Sequence, residues 1–276
     1  MLELPPTFPR RVDAFACDLD RTLIAEDALL RPRTLAAIAA VRAAGTHVVV
    51  VTGRMVRATL PYSREAGLED PLVCYQGAVV ADPVTGAFLR HIPIPRAVAL
   101  EAIDAVVDAG FHVNCYVDDL LYVAEITPEA RAYADFQGLE IHPVGDLHAW
   151  LSADPTKLVA VGDPERLTAL EAVLKPRFAG RLFVSKSLPH FLEFASPDVS
   201  KGAGLAFVAE RLGFTAAGTV ACGDGENDRE LLDWAGFGVA VANAHDDILR
   251  RADLVVPPVQ EEGVAILMET YLDSLS

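Results

Sequence analysis

Short apolar runs alternate with longer amphipathic segments along this chain of 276 residues. The runs are AFAC at 14–17, VVVV at 48–51, LVCY at 72–75, TVAC at 219–222, GVAV at 238–241 and LVV at 254–256. Continuous apolar runs of this length are typical of strands buried on both faces, as in a parallel sheet. Between the first two runs, Pro32 and Gly45 bracket a segment with the spacing of an amphipathic helix. The pattern therefore predicts βαβ units and an α/β fold with a Rossmann-like parallel sheet.

The middle of the chain, from about Asp82 to His190, has a different pattern. The segment HVNCYVDDLLYVAE alternates as a β-hairpin does, and KLVAVGD has the pattern of a strand set among helical segments. Such a mixture indicates an α+β domain. We therefore expect a parallel-sheet core formed by residues 1–82 and 191–276, interrupted by an inserted α+β domain at 83–190.

Composition is that of a folded, globular protein. Apolar residues make up 52% of the chain and charged residues 22%, and the length suits one large α/β domain or two modules. The formal charge of −16 argues against nucleic acid or anionic membranes as partners, because both require clustered Lys and Arg. The N-terminus lacks a signal-peptide pattern, and no apolar run approaches the length of a membrane span. We expect a cytoplasmic monomer or small homo-oligomer whose four cysteines are buried free thiols.

Polar side chains follow the predicted strands at the point where each strand ends. After the first four runs, these residues are Asp18, Asp20 and Thr22; Thr52, Gly53 and Arg54; Gln76 and Gly77; and Asp224, Glu226, Asn227 and Asp228. The carboxyl ends of parallel strands meet at one edge of the sheet, where active clefts lie in such folds. Acidic groups brought together there repel one another, and a divalent cation bound by oxygen ligands would neutralise them. Mg²⁺ suits a few carboxylates plus waters and a phosphate, whereas a calcium loop needs glycine where Arg229 stands.

Two further features are compatible with anion binding. Thr52 and Gly53 offer a hydroxyl and backbone N–H groups at a strand end, although a turn with a capping threonine explains them equally well. Ser200 has the position of a helix N-cap, which puts Lys201 in the first turn, where the helix dipole disfavours a cation. An anion held nearby would explain this lysine, and the alternative is a side chain that reaches into solvent.

The segments DLDRT, VVVVTGR, SKG and GDGENDRELL…GFGVAVANA, in this order, resemble the motifs of the haloacid dehalogenase (HAD) superfamily. The resemblance is strongest to the Cof-like phosphatases, which carry a large α+β cap of subclass IIB between the second and third motifs. It implies a HAD core with an inserted cap, in which Asp18 attacks phosphorus and becomes an aspartyl-phosphate. Asp20 would protonate the leaving alcohol and then activate water. Mg²⁺ would be held by Asp18, the backbone carbonyl of Asp20 and Asp224.

The same resemblance implies a set of phosphate-binding groups. They are Thr52, the backbone around Leu19 and Gly53, Lys201 and Asn227, with Asp228 orienting Lys201 or a metal-bound water. Two positions depart from the family pattern, since Arg21 stands where glycine is usual and Gln76 where asparagine is common. Neither change removes a catalytic group, so we expect them to affect substrate preference or rate and not the reaction class.

The resemblance predicts a Mg²⁺-dependent phosphatase of a small phosphorylated metabolite. A sugar phosphate is favoured, with pyridoxal phosphate or a nucleotide next, and the cap would close over the cleft and select the substrate. The polar or aromatic cap residues that could reach the leaving group are Tyr116, Asp118, Asp119, Lys186 and His190.

Other functions stay open at this point. A phosphomutase or phosphotransferase of the same superfamily shares the paired aspartates. A receiver-like phosphoaccepting module also gathers acids, Thr and Lys around Mg²⁺, although receivers do not place both acids on the first strand. A dehalogenase would not need Asp20, because its reaction has no leaving alcohol to protonate. A catalytically silent binding protein is the remaining alternative.

Overall fold

The computed structural model describes residues 2–275, which form two compact units. Of the described residues, the core unit contains those up to Arg90 and those from Ser200 onward, and the inserted unit contains His91–Val199. The boundaries expected from sequence, 83 and 190, come earlier along the chain than these. The difference arises from strand pairing, because the strand at 88–91 joins a sheet of the core unit and the strand at 191–195 joins the sheet of the inserted unit.

The described residues contain fourteen strands and ten α-helices. The strands are β1 Ala14–Cys17, β2 His47–Val50, β3 Leu72–Cys74, β4 Val79–Ala81, β5 Phe88–His91, β6 His112–Val117, β7 Leu120–Val123, β8 Ile141–Pro143, β9 Lys157–Val161, β10 Phe183–Leu188, β11 Phe191–Ala195, β12 Thr219–Gly223, β13 Phe237–Val241 and β14 Leu254–Val256. The helices are α1 Pro32–Ala43, α2 Val56–Glu65, α3 Arg96–Asp108, α4 Pro128–Gln137, α5 Leu147–Trp150, α6 Pro164–Arg177, α7 Lys201–Leu212, α8 Arg229–Trp234, α9 Asp246–Arg251 and α10 Gly263–Ser274.

The core unit is built on a five-stranded parallel sheet with the order β14-β13-β12-β1-β2. Strand β1 lies between β12 and β2, with Cys17 opposite Val50 of β2 and Cys222 of β12. Every residue of β1, β12 and β13 is buried, as continuous apolar runs predict for strands covered on both faces. The α/β fold with a Rossmann-like parallel sheet is confirmed.

Helices cover both faces of this sheet. Ala14 and Ala16 point to a cluster that includes Leu205 of α7, Leu231 of α8 and Ile248 of α9. On the other face, the ring of Phe15 packs edge-on against Tyr271 of α10, with the ring centroids 5.7 Å apart. This alternation along β1 fixes its register, since a shift by one residue would exchange the two faces.

The run at 72–75 does not extend the parallel sheet as a full strand. Strand β3 forms a three-stranded sheet with β4 and β5, and its link to the parallel sheet is a single bridge between Val51 and Val73. The chain turns back through a 3-10 turn at Tyr75–Gly77, so that β4 pairs with β3 in antiparallel fashion. The backbone of this short run therefore pairs mainly with the neighbouring strand β4 and not with the parallel sheet.

The inserted unit has one six-stranded sheet with the order β10-β11-β9-β6-β7-β8. Strands β6 and β7 form the hairpin that the alternation predicts, joined by Asp118 and Asp119 at φ 50° and 58°, as in a type I′ turn. Helices α3 and α6 pack on one face of the sheet around Cys115 and Phe194. The four cysteines, all among the described residues, are buried and form no disulfide, as expected. Within residues 2–275, no helix combines the length and hydropathy that a membrane crossing requires.

Candidate active site

Three carboxylates meet at the carboxyl ends of β1 and β12. Asp18 follows β1 directly, and its N–H donates to the carbonyl of Cys222 at 2.9 Å. Asp224 follows β12, and Asp228 lies in the 3-10 turn Glu226–Asp228 just beyond. One oxygen of each lies within 4.8 Å of the others, and all three side chains are buried. The two strand ends that the sequence pattern singled out are thus neighbours.

Lys201 lies among these carboxylates. Its Nζ donates to Oδ1 of Asp18 at 2.5 Å and to Oδ1 of Asp228 at 2.5 Å, and its side chain is 1% exposed. Ser200 is the N-cap of α7, as predicted, and its hydroxyl accepts from the N–H of Ala203 at 3.1 Å. The alternative in which Lys201 reaches into solvent is therefore wrong.

Two glycines allow α7 to approach the site closely. Gly77 has φ of +100°, and a Cβ there would overlap the carbonyl oxygen of Ser200. A Cβ on Gly202 would overlap the carbonyl oxygen of Glu230 in α8. Glycine also tolerates positive φ without steric cost. These contacts set the start of α7 against the loop after β3 and thereby place Lys201.

Both carboxylate oxygens of Asp228 accept hydrogen bonds from other groups of the protein. Its Oδ2 accepts from the N–H groups of Asp224 and Gly225, each at 2.9 Å, while Oδ1 accepts from Lys201. A carboxylate engaged in this way orients its neighbours more readily than it binds a cation. Asp18 and Asp224 are the better candidates for metal ligands.

The electrostatics of the site point to missing positive charge. Burial, followed by repulsion from Asp228, raises the pKa of Asp224 to about 6. Burial also raises the pKa of Asp18 well above its usual value, with Lys201 opposing this and the nearby carboxylates adding to it. Burial alone would lower the pKa of Lys201, but Asp18 and Asp228 raise it above its ordinary value, so Lys201 stays protonated. Lys201 and Arg21, whose Nε lies 3.3 Å from Oδ2 of Asp224, do not balance three carboxylates, and the hard oxygen donors of these carboxylates fit Mg²⁺.

Asp20 does not join the carboxylate cluster. Its two oxygens accept from Arg54, at 2.8 Å from Nε and 2.6 Å from Nη2. Arg54 also donates to the hydroxyl of Tyr62 at 3.3 Å, and that hydroxyl donates to the carbonyl of Ala28. The carbonyl of Leu19 accepts from Leu23 and Ile24, which fixes the loop that carries Asp20. The side chain of Asp20 is thus oriented by a bidentate arginine.

The remaining phosphate-binding candidates line the loops after β2, β3 and β12. Thr52 is fully buried, and its hydroxyl oxygen accepts from the N–H of Arg54 at 3.2 Å, which leaves the hydroxyl hydrogen to donate. Asn227 donates to Oε1 of Gln76 at 3.0 Å. A Cβ on Gly53 would overlap Nε2 of Gln76, so this amide lies directly over Gly53. Gln76 therefore links the second and fourth motifs.

Arg21 has a backbone conformation that favours glycine, with φ of 61°. Its Nε lies 3.3 Å from Oδ2 of Asp224, and its Nη2 donates to the carbonyl of Asn243 at 3.1 Å. In return, Nδ2 of Asn243 donates to the carbonyl of Arg21 at 2.9 Å. Arg21 thus belongs to the surroundings of Asp224.

Sequence reasoning assigned no role to two of these residues. Arg54 was among the polar residues after strand ends, but its pairing with Asp20 depends on side-chain geometry that the pattern does not contain. Asn243 lies two residues beyond β13, so the rule that finds Asp18 and Asp224 would also have found it.

Three of the candidate specificity residues, Tyr116, Lys186 and His190, have hydrogen-bond partners within the inserted unit. The hydroxyls of Tyr116 and Tyr133 are 2.6 Å apart, and Tyr116 is buried. Lys186 donates to the hydroxyl of Thr168 at 2.6 Å, and Nδ1 of His190 lies 3.2 Å from the carbonyl of Gly162. Asp118 and Asp119 form the turn between β6 and β7.

Comparison with known proteins places the chain in one family. A family model described as haloacid dehalogenase-like hydrolase matches residues 15–268. A 5-amino-6-(5-phospho-D-ribitylamino)uracil phosphatase from Bacillus subtilis is 28% identical over 261 residues, which is 93% of this chain and 96% of that protein. A pyridoxal phosphate phosphatase from Escherichia coli is 28% identical over 93% of this chain and 97% of its own length. The crystal structure of a haloacid dehalogenase-like hydrolase from Bacteroides thetaiotaomicron has the same fold, with a TM-score of 0.87 at 23% identity over 94% of this chain and 99% of that one.

Proposed function

Because this chain belongs to the haloacid dehalogenase-like hydrolase family, we propose that it hydrolyses the phosphate monoester of a small metabolite through an aspartyl-phosphate on Asp18. The observation that carries the proposal is the position of Asp18. It lies at the end of an inner strand of the parallel sheet, 2.5 Å from the buried ammonium of Lys201 and beside the carboxylate of Asp224. A carboxylate nucleophile next to fixed positive charge is what transfer of a phosphoryl group requires.

In the first step, an oxygen of Asp18 attacks phosphorus and the bond from phosphorus to the ester oxygen breaks. Asp20 gives its proton to that oxygen, so the product leaves as a neutral alcohol. Arg54 orients Asp20 through its two hydrogen bonds and pairs with the carboxylate that remains once the proton has been given. Lys201, the Thr52 hydroxyl, the backbone N–H groups near Leu19 and Gly53, and Asn227 bind the phosphoryl oxygens.

In the second step, water attacks the phosphorus of the aspartyl-phosphate and the bond to Asp18 breaks. Asp20, now ionised, takes a proton from that water, which restores its starting form. Inorganic phosphate leaves, and Asp18 is again a free carboxylate. The same side chain therefore serves as acid and then as base, and the cycle balances without any further reactant.

The residues suited to hold Mg²⁺ are Asp18 and Asp224, with the backbone carbonyl of Asp20 as a third ligand. The cation, when bound, supplies the positive charge that the cluster of carboxylates lacks. Asp228 acts on this site through others, since it receives Lys201 and the backbone N–H of Asp224. Its role is to orient the lysine and the loop.

The substrate belongs to the small phosphate monoesters. Two relatives are named as phosphatases of pyridoxal phosphate and of a phosphorylated ribitylaminouracil, which are monoesters of this kind. Within this class we favour a sugar phosphate, with pyridoxal phosphate or a nucleotide next. The contribution of the inserted unit to this choice, the cytoplasmic location and the oligomeric state stay predictions.

The proposal predicts a metal-dependent release of phosphate. The purified protein should hydrolyse p-nitrophenyl phosphate with Mg²⁺, lose that activity with EDTA and regain it when Mg²⁺ is added in excess. Asp224→Asn should require a much higher Mg²⁺ concentration, whereas Asp108→Asn, at the exposed end of α3, should behave as the wild type. Activity that EDTA and Asp224→Asn both leave unchanged would contradict the metal site.

A panel of metabolites then identifies the substrate. A hexose phosphate, pyridoxal 5′-phosphate and a nucleoside monophosphate should be compared by kcat/KM, with phosphate release as the measurement. Transfer of the phosphoryl group to a second sugar, without release of phosphate, would favour the phosphomutase or phosphotransferase alternative.

Replacing Arg54 by methionine is expected to lower kcat by about tenfold to a hundredfold, a part of what a general acid contributes. The loss should be larger for an alkyl phosphate than for p-nitrophenyl phosphate, since an alkoxide leaving group depends more on protonation. Kinetics with both substrates measure this difference, and Arg54→Lys should retain part of the activity. An equal loss for both leaving groups would show that Arg54 does not act through Asp20.

A further inference from the structure

Arg21 occupies a conformation that costs free energy for any residue with a side chain. Its φ of 61° lies in the left-handed region, which L-residues other than glycine rarely adopt. The backbone around it is held by its own N–H, which donates to the carbonyl of Ile24 at 2.7 Å, and by its carbonyl, which accepts from Asn243. A glycine could make both of these bonds, so the backbone does not require the arginine.

The side chain of Arg21 is directed at the site. The guanidinium contacts Oδ2 of Asp224 and the carbonyl of Asn243, and Asn243 is itself fixed because its Oδ1 accepts from the N–H of Val259 at 2.8 Å. Half of the Arg21 side chain is exposed, whereas that of Asp224 is 7% exposed. Arg21 therefore brings a fixed positive charge from the rim of the site onto one buried carboxylate.

Two cations contact the three clustered carboxylates, Asp18, Asp224 and Asp228. Lys201 bonds to Asp18 and Asp228, and Arg21 contacts Asp224. A divalent cation on Asp224 must share that carboxylate with the guanidinium, and like charges that close repel each other even where solvent screens them in part. Arg21 thus neutralises part of the negative charge of Asp224, and this charge is what attracts a divalent cation.

We propose that Arg21 is a built-in counter-ion of Asp224 that opposes binding of a divalent cation and so sets the metal affinity of the site. The inference rests on the proposed metal site. It makes Arg21 a positioning residue, which holds Asp224 in place without the metal and raises the Mg²⁺ concentration at which the site fills.

Calorimetric titration of the full-length protein with MgCl₂, at constant ionic strength, tests this directly. Arg21→Asn removes the charge and keeps a residue that tolerates positive φ, and Arg21→Gly provides a second variant in case the first fails to fold. Both are expected to bind Mg²⁺ about three- to tenfold more tightly than the wild type. Arg21→Lys should stay near the wild-type Kd. Arg11→Asn, which removes an equal charge from a residue that is 88% exposed and precedes β1, should do the same.

The outcomes separate this inference from the proposed function. If the wild type binds Mg²⁺ and the Kd of Arg21→Asn and Arg21→Gly is unchanged or larger, only the role of Arg21 is overturned. If the wild type shows no Mg²⁺ binding, or only binding that Asp224→Asn leaves unchanged, the metal site is overturned and the inference with it. Tighter binding in Arg11→Asn as well would attribute the effect to net charge and not to the contact with Asp224.

Discussion

Replacing Asp18 by asparagine is expected to lower kcat for p-nitrophenyl phosphate by about 10⁴-fold or more, because an amide cannot form the aspartyl-phosphate. The folded protein should survive the change. Lys201 keeps its bond to Asp228, and the loss of one buried negative charge reduces repulsion within the cluster. The midpoint of thermal unfolding without metal should therefore equal or exceed that of the wild type.

Steady-state kinetics and thermal unfolding, measured on the same preparations, check both parts. Asp233→Asn serves as the matched control, since that side chain is about half exposed and pairs with Arg251 away from the cluster. Wild-type turnover in Asp18→Asn would rule out the covalent mechanism. A folded but inactive variant that also fails to incorporate phosphate from substrate is the result we expect.

Replacing Lys201 by methionine is expected to have the largest effect on stability. The change leaves Asp18 and Asp228 buried without their shared partner, and breaking a buried ion pair in this way costs about 3–5 kcal/mol. Denaturation by urea at pH 7 measures the loss. Lys175→Met, which removes an exposed lysine on α6, should change the free energy of unfolding by less than about 1 kcal/mol.

The loss in Lys201→Met should depend on pH. Burial already raises the pKa of Asp18 in the folded protein, and removal of Lys201 raises it further. An acid whose folded pKa lies above its unfolded value takes up protons on folding, so stability falls as pH rises through that range. The deficit against the wild type should therefore shrink toward pH 4.

A second substitution separates charge from packing. Asp228→Asn in the Lys201→Met background removes one unpaired charge, while its amide oxygen can still accept from the N–H groups of residues 224 and 225. We expect part of the stability to return and activity to stay low, because phosphoryl oxygens still lack the ammonium. Equal stability of the single and double variants would place the cost in packing.

The parallel sheet could be predicted because its strands are short, apolar and buried on both faces. The runs at 14–17 and 254–256 coincide with β1 and β14, and the family recognised from four ordered motifs is confirmed. Strand β11 was harder to assign, since FLEFA has the same pattern whichever sheet it joins. Its pairing with β9 and β10 is a long-range property that local periodicity does not encode.

The site was predictable where position along a strand or helix determines it. Asp18 and Asp224 lie at strand ends and Lys201 in the first turn of α7, so their meeting follows from topology. Arg54 and Arg21 are different, because a long side chain reaches several partners and the rotamer decides among them. Their contacts with Asp20 and Asp224 became visible only in three dimensions.

The points where the chain leaves and re-enters the core unit are joined within that unit. Arg90 donates to the carbonyl of Ala203 at 2.8 Å, and Ser200 lies against Gly77. Contacts within the core unit therefore already hold these two points of the chain close together. The entropic cost of closing the loop between them grows slowly with the length of that loop. The core unit makes these contacts with its own residues. A different module between Arg90 and Ser200 would therefore leave the geometry of the core unit in place.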